Sequence, residues 1–200
     1  MTIDPVNAGL FLLAATLLLG SPGPGIAALI AVGRSGGFTR GLRFYGGLQL
    51  GLALAAGISA GGLFSVIQTI PFATAVMAFA AAAYLVYLAW GIATAPVGVT
   101  PGGTGVASTA LGGFLLGITN PKSYIAFISL MASYAIVEAN ASTDVAIKWL
   151  ICVVVMVVVD LVWLWLGVVI RKADLKPDVE RALNIIMGAT ILVTAVLSLV

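Results

Sequence analysis

The chain has 200 residues, 62% of them hydrophobic and only 8% charged, with a formal net charge of +2. A soluble domain carries about 25% charged residues, so this chain cannot cover a water-facing surface and reads as an integral membrane protein. Its apolar runs are long and lack period-two alternation, which excludes a transmembrane barrel and predicts an all-α bundle of helices of about 20 residues each.

The small net charge carries no sign of nucleic acid, and none is expected as a partner. Cys152 is the only cysteine, which excludes a disulfide framework or an intramolecular thiol pair. There is no histidine, so the usual neutral-pH proton carrier and commonest metal ligand is missing. No metal and no cofactor is expected. The first apolar run follows Asp4 rather than a basic stretch and is too long for a signal-peptide core, so it reads as a retained helix.

Six hydrophobic segments follow in chain order: 7–32, 41–67, 72–93, 111–137, 145–170 and 181–200. The loop after the first is expected to hold Arg34, Arg40 and Arg43. The turn at 68–71 is short and uncharged. The stretch 94–109 is rich in Pro, Gly, Ser and Thr and reads as a flexible joint. A short mixed loop spans 138–148, and the fifth loop carries Arg171, Lys172, Lys176 and Arg181.

Basic loops face the cytoplasm, and the first and fifth loops hold seven of the nine Lys and Arg residues. That side is therefore expected to be cytoplasmic, with the joint, while both termini and Lys148 lie outside. The organisation expected is one transmembrane transporter domain over 1–200. Its first three-helix half is 1–93, its cytoplasmic linker 94–110 and its second three-helix half 111–200. Two halves of three helices can share a fold only by inserting with opposite orientation, the inverted repeat of many secondary transporters.

Two helix-breaking clusters lie inside the first and fourth segments. In Ser21-Pro22-Gly23-Pro24-Gly25, two prolines remove backbone donors and two glycines admit unusual conformations. The cluster is read as an unwound segment that frees carbonyls and amides for a ligand, against a simple kink. Thr119-Asn120-Pro121-Lys122 is the second. A lysine deep in an apolar segment costs about 2.5–3.5 kcal/mol on insertion scales. Asn120 and Pro121 would open a new helix N-terminus beside it, and a helix N-terminus with an ammonium suits a carboxylate. The alternative is a lysine that snorkels to the interface.

Asp160 is the only acid inside any of the six segments. It reads as a proton carrier, a counter-ion for Lys122 or a contact for a substrate ammonium, against a structural ion pair between helices. Gln49 either reaches the site or makes a helix–helix hydrogen bond. Gly47 and Gly51, Gly57 and Gly61, and Gly113 and Gly117 are small-xxx-small pairs for close helix approach. The aromatic residues read as packing or interfacial anchors, and Cys152 as core filler.

These residues together resemble the LysE/RhtB family of amino-acid exporters. The resemblance runs over nearly the whole chain: Ser21-Pro22-Gly23-Pro24, the glycine pattern at 37–41, Gly47-Leu48-Gln49-Leu50-Gly51, the run 83–90, Thr119-Asn120-Pro121-Lys122, Val159-Asp160 and Leu183-Asn184. It implies a six-helix bacterial inner-membrane protein that exports amino acids or small derivatives, driven by the proton gradient as an antiporter. The Gly-Leu-Gln form is closer to the homoserine/threonine branch. Many relatives carry an acid where this chain has Leu52, which puts a two-carboxylate mechanism in doubt.

The partners expected are a small amino-acid-like substrate, protons and membrane lipid, with a homo-oligomer left open. The candidate substrate-binding residues are Ser21, Pro22, Gly23, Pro24, Gly25, Gln49, Asn120, Pro121, Lys122 and Asp160. Alternatives are an exporter of another small solute or metal ion, or a non-transporting membrane scaffold. A metal exporter would want buried His, Cys or several acids. A scaffold leaves the paired breaks with Lys122 and Asp160 unexplained, and a thiol-relay redox enzyme needs a second cysteine. No enzymatic activity is expected.

Overall fold

The computed structural model describes residues 3–62, 72, 79, 82–83, 86–87, 89–94, 97, 109–173 and 175–197. Most of the joint at 94–109 and of the segment 72–93 lies outside the described residues, as does the turn at 68–71. Among the described residues the chain is helical and has no strand. The helices are α1 (Pro5–Gly20), α2 (Pro24–Ala60), α3 (Ala110–Thr119), α4 (Pro121–Ala132), α5 (Ala141–Lys172) and α6 (Pro177–Leu197).

Proline sets four of the starts. Pro5, Pro24, Pro121 and Pro177 each open a helix, where the missing N–H would be unpaired in any case and the fixed φ is already helical. Side-chain caps set the others. Thr109 accepts from Gly112 N at 3.0 Å, and Asn140 accepts from Thr143 N at 3.1 Å. Asp4 caps α1 ahead of Pro5, accepting from Val6 N at 2.9 Å and Asn7 N at 3.1 Å.

The first segment is therefore two helices, α1 and the start of α2, bent by 62° about the break. No basic loop follows it, which corrects the expectation for Arg34, Arg40 and Arg43. The helix runs on to Gly37, turns there with φ 72 and ψ −176, and continues to Ala60. That left-handed φ belongs to glycine. The two arms of α2, 24–36 and 38–60, fold back on each other. A Cβ on Gly25 would stand 3.9 Å from the Leu48 side chain, and one on Gly33 or Gly41 would run into Leu164 of α5.

The fourth segment is also two helices, α3 and α4, separated only by the extended residue Asn120. It ends at Ala132 rather than 137. α5 begins at Ala141, so Lys148 lies inside a helix and not in an outer loop. α6 begins at Pro177, which leaves a connection far shorter than the expected fifth loop.

Glycines let backbones touch. A Cβ on Gly47 would run into the Ala110 carbonyl, one on Gly51 into the Phe114 carbonyl, and one on Gly113 into the Phe44 carbonyl. The pairs Gly47/Gly51 and Gly113/Gly117 thus form one α2–α3 seam. Gly33 and Gly167 make a second seam between α2 and α5 that the spacing did not suggest. Among the described residues the pair Gly57/Gly61 meets no backbone: a Cβ on Gly57 would stand 3.6 Å from the Trp149 indole, and Gly61 is the exposed C-cap of α2.

The core gathers Phe11, Leu29, Phe44, Leu48, Phe127 and Leu164. Outward faces are apolar as well: Leu13, Leu17, Val158, Val162, Trp165 and Val193 are exposed. That is the surface of a chain whose solvent is lipid. Among the described residues, α5 alone is long and apolar enough to span a bilayer, and α1 with α2 qualifies as a broken span.

Candidate functional site

The two breaks meet. Lys122, the second residue of α4, extends its ammonium to the free carbonyls beyond the end of α1. It donates to Ser21 O and to Pro22 O, the latter at 3.0 Å. These carbonyls lie past the last turn of α1, where a helix carries partial negative charge and cations are favoured. Gly23 makes room for the lysine: a Cβ there would stand 3.0 Å from both Cδ and Nζ of Lys122.

A cavity lies at this junction. Its wall includes Ser21, Gly23, Gly25, Asn120, Lys122 and Asp160, with Leu48, Leu52 and Met156 among its apolar residues. Its volume is about 40 Å³, room for on the order of three waters at ~10–15 Å³ each. The first turn of α2 opens onto it. The first backbone bond across that turn runs from Ala27 N to Gly23 O at 2.9 Å. The amides of Gly25 and Ile26 precede it and belong to the turn whose N–H groups lack intrahelical partners.

Asp160 enters from α5 and is 5% exposed. Gln49 of α2 donates to its Oδ2 through Nε2 at 2.7 Å, one turn beyond Tyr45, whose hydroxyl donates to Val157 O at 2.8 Å. So Gln49 bonds across helices and, through Asp160, also reaches the cavity wall. Lys122 and Asp160 share the cavity without an ion pair: the two pairs among the described residues are Arg34–Glu180 and Lys148–Asp144. Asp160 therefore faces Lys122 across the cavity rather than contacting it. Among the described residues two buried side-chain oxygens lack a hydrogen-bond partner, Gln49 Oε1 and Asn120 Oδ1. Asn120 is 6% exposed.

Of the predicted residues, Ser21, Gly23, Gly25, Asn120, Lys122 and Asp160 line one cavity. Pro22 contributes its carbonyl, and Pro24 and Pro121 open the two helices that start there. Leu52 lies in the same wall, so the departure from the family pattern falls inside the site.

Two polar clusters escaped the sequence reading. Lys148 is 3% exposed. It pairs with Asp144 at 2.8 Å and donates to Ser133 O at 2.6 Å and Met131 O at 3.2 Å. Asp144 in turn accepts from Ile136 N at 2.6 Å and Val137 N at 2.9 Å. Asp160 is thus not the only buried acid. The two residues are spaced i, i+4 on one helix, a pairing signal present in the sequence. At the other end of α5, Arg34 is buried against Glu180 at 3.1 Å and donates to Asn184 Oδ1. Nothing local foretells that contact, because its partners sit on α6.

The family model of the LysE type translocator matches residues 16–200. The chain is 25% identical over 181 residues to the cysteine/O-acetylserine efflux proteins of Escherichia coli strain K12 and of Shigella flexneri. It is 26% identical to that of Escherichia coli O6:K15:H31. Each match covers 88% of this chain and 89% of the relative. No solved structure matches the chain significantly. With the match reaching from within α1 to the last residue, the chain belongs to the LysE type translocator family, as a membrane transport protein and not an enzyme.

Proposed function

We propose that this protein is a secondary exporter of zwitterionic amino acids or their small derivatives, working at the bacterial inner membrane by exchange with protons. The observation that carries the reading is the meeting of two broken helices at a cavity that holds a buried lysine and a buried aspartate from different helices. Broken backbone at membrane depth is tolerated where it lines a cavity, and paired breaks in two halves of a chain mark transporter binding sites. The efflux names of the relatives support the substrate class.

The substrate carboxylate would meet the first-turn amides of α2 and the ammonium of Lys122. An ammonium has three donors, and the carbonyls of Ser21 and Pro22 hold two of them. The third serves the ligand. The substrate ammonium would face Asp160 and the free oxygen of Asn120, and Asp160 would take a proton when the substrate leaves. Gln49 fixes the carboxylate. The space of about 40 Å³ is too small for an amino acid, so loading requires the walls to part. Two three-helix halves, 1–93 and 111–200, inserted with opposite orientation and joined by a cytoplasmic linker would rock about the junction, with both termini outside.

The test is a panel of labelled amino acids, with cysteine and O-acetylserine among them, moved by the purified protein in proteoliposomes. Transport of at least one zwitterion, accelerated by an opposed pH gradient, is expected. Equal rates with and without the gradient would remove the proton from the scheme, and no transport of any member would remove the substrate class.

A further inference from the structure

We infer that the junction of the two breaks is a monovalent-cation site, and that Lys122 is its resident cation. The site is built of oxygens. Ser21 and Pro22 present carbonyls already bonded to the lysine ammonium. Asn120 presents an amide oxygen that is buried and bonded to nothing, and Asp160 presents a carboxylate on the same cavity wall. Carbonyl, amide and carboxylate oxygens are the ligands of hard cations. In secondary transporters, unwound carbonyls and half-helix C-terminal ends are where a coupling cation such as sodium sits. Here a tethered ammonium fills that place.

The chain is shaped for the tether. Pro121 starts α4 one residue before Lys122, and Gly23 leaves the gap through which the lysine stem passes. The unpaired Asn120 oxygen is a further ligand that the tethered ammonium leaves unused. This deepens the transport reading: a protein that carries its own cation exports without sodium. Removing the ammonium while keeping the oxygens should create a site for a small free cation.

The experiment uses the full chain, wild type and Lys122→Met, in detergent or nanodiscs. Sodium, potassium and methylammonium are titrated separately, with choline as the control for ionic strength. Thermal melting followed by tryptophan fluorescence and binding of radioactive sodium are the readouts. Lys122→Met should gain a saturable rise in melting temperature, about 5 °C or more near saturation, from at least one of the three cations. Choline should leave it unchanged, and the wild type should respond to none. Adding Asn120→Ala to Lys122→Met should weaken the response.

A wild type that responds to sodium as the variant does would overturn the inference. So would a folded Lys122→Met that responds to no small cation. Where Lys122→Met fails to fold, the yield of folded Lys122→Ala with and without ethylammonium decides the matter: recovery supports the resident-cation role, and no recovery contradicts it. These readouts need no transported substrate. A failed amino-acid panel therefore leaves the inference standing, and a flat cation titration sinks it even where export is proved.

Discussion

Asp160 is a carboxylate reached by one neutral donor, Gln49 Nε2, and by no cation within ion-pair distance. Such a group has capacity left for a substrate ammonium or a proton. An amide in place of its carboxylate keeps the shape and the helix while removing the charge, so Asp160→Asn should insert and melt as the wild type does. Its affinity for a zwitterion should fall roughly 30-fold or more, the ~2 kcal/mol lost with one partner of a buried charge pair. Radioligand binding beside export rates checks this. Gln49→Leu removes the donor and leaves the carboxylate less well held, at about 1–3 kcal/mol. Export should fall by roughly tenfold while Gln49→Asn retains part of it, which separates positioning from simple packing.

At the scale of elements, the breaks were legible because proline and glycine act on their own backbone. Pro24 begins a helix with three residues between it and the end of α1, and Pro121 with one between it and the end of α3, at the first helical position where a missing N–H costs nothing. The reversal at Gly37 falls inside the loop expected between 32 and 41, but its form was not legible, since one left-handed glycine turns the chain while the helix runs on either side of it. The seam of Gly47 and Gly51 against Gly113 and Gly117 was visible as spacing, but which pair meets which is a tertiary fact. It gives a sharp contrast. Gly51→Val drives a side chain into the Phe114 backbone and should cost about 1–3 kcal/mol or more, seen as a fall in melting temperature in detergent. Gly57→Ala meets only ordinary contact distance at the Trp149 indole and should melt within about 0.5 kcal/mol of the wild type.

Across the bundle as a whole, polar groups lie in three tiers. Asp144 and Lys148 clamp the connection between α4 and α5, which also receives Asp4 N at Ile136 O and Asn7 Nδ2 at Ala135 O, both at 2.9 Å. Asp160, Gln49 and Lys122 lie at the junction of the breaks. Arg34, Glu180 and Asn184 tie α2 to α6 at the far end. Lys148→Met would leave Asp144 buried without its cation, and breaking a buried pair in this way costs roughly 3–5 kcal/mol. Melting temperature and the yield of folded protein should both drop, with Lys148→Arg recovering part of the loss.

Whether the middle tier carries the substrate is tested by export of a labelled zwitterionic amino acid from loaded proteoliposomes. Wild type, Lys122→Met and Asp160→Asn are compared at equal amounts of folded protein and with sodium excluded. Transport by the wild type is expected, with a loss of roughly tenfold or more in each variant. Wild-type rates from both variants would show that the substrate passes elsewhere.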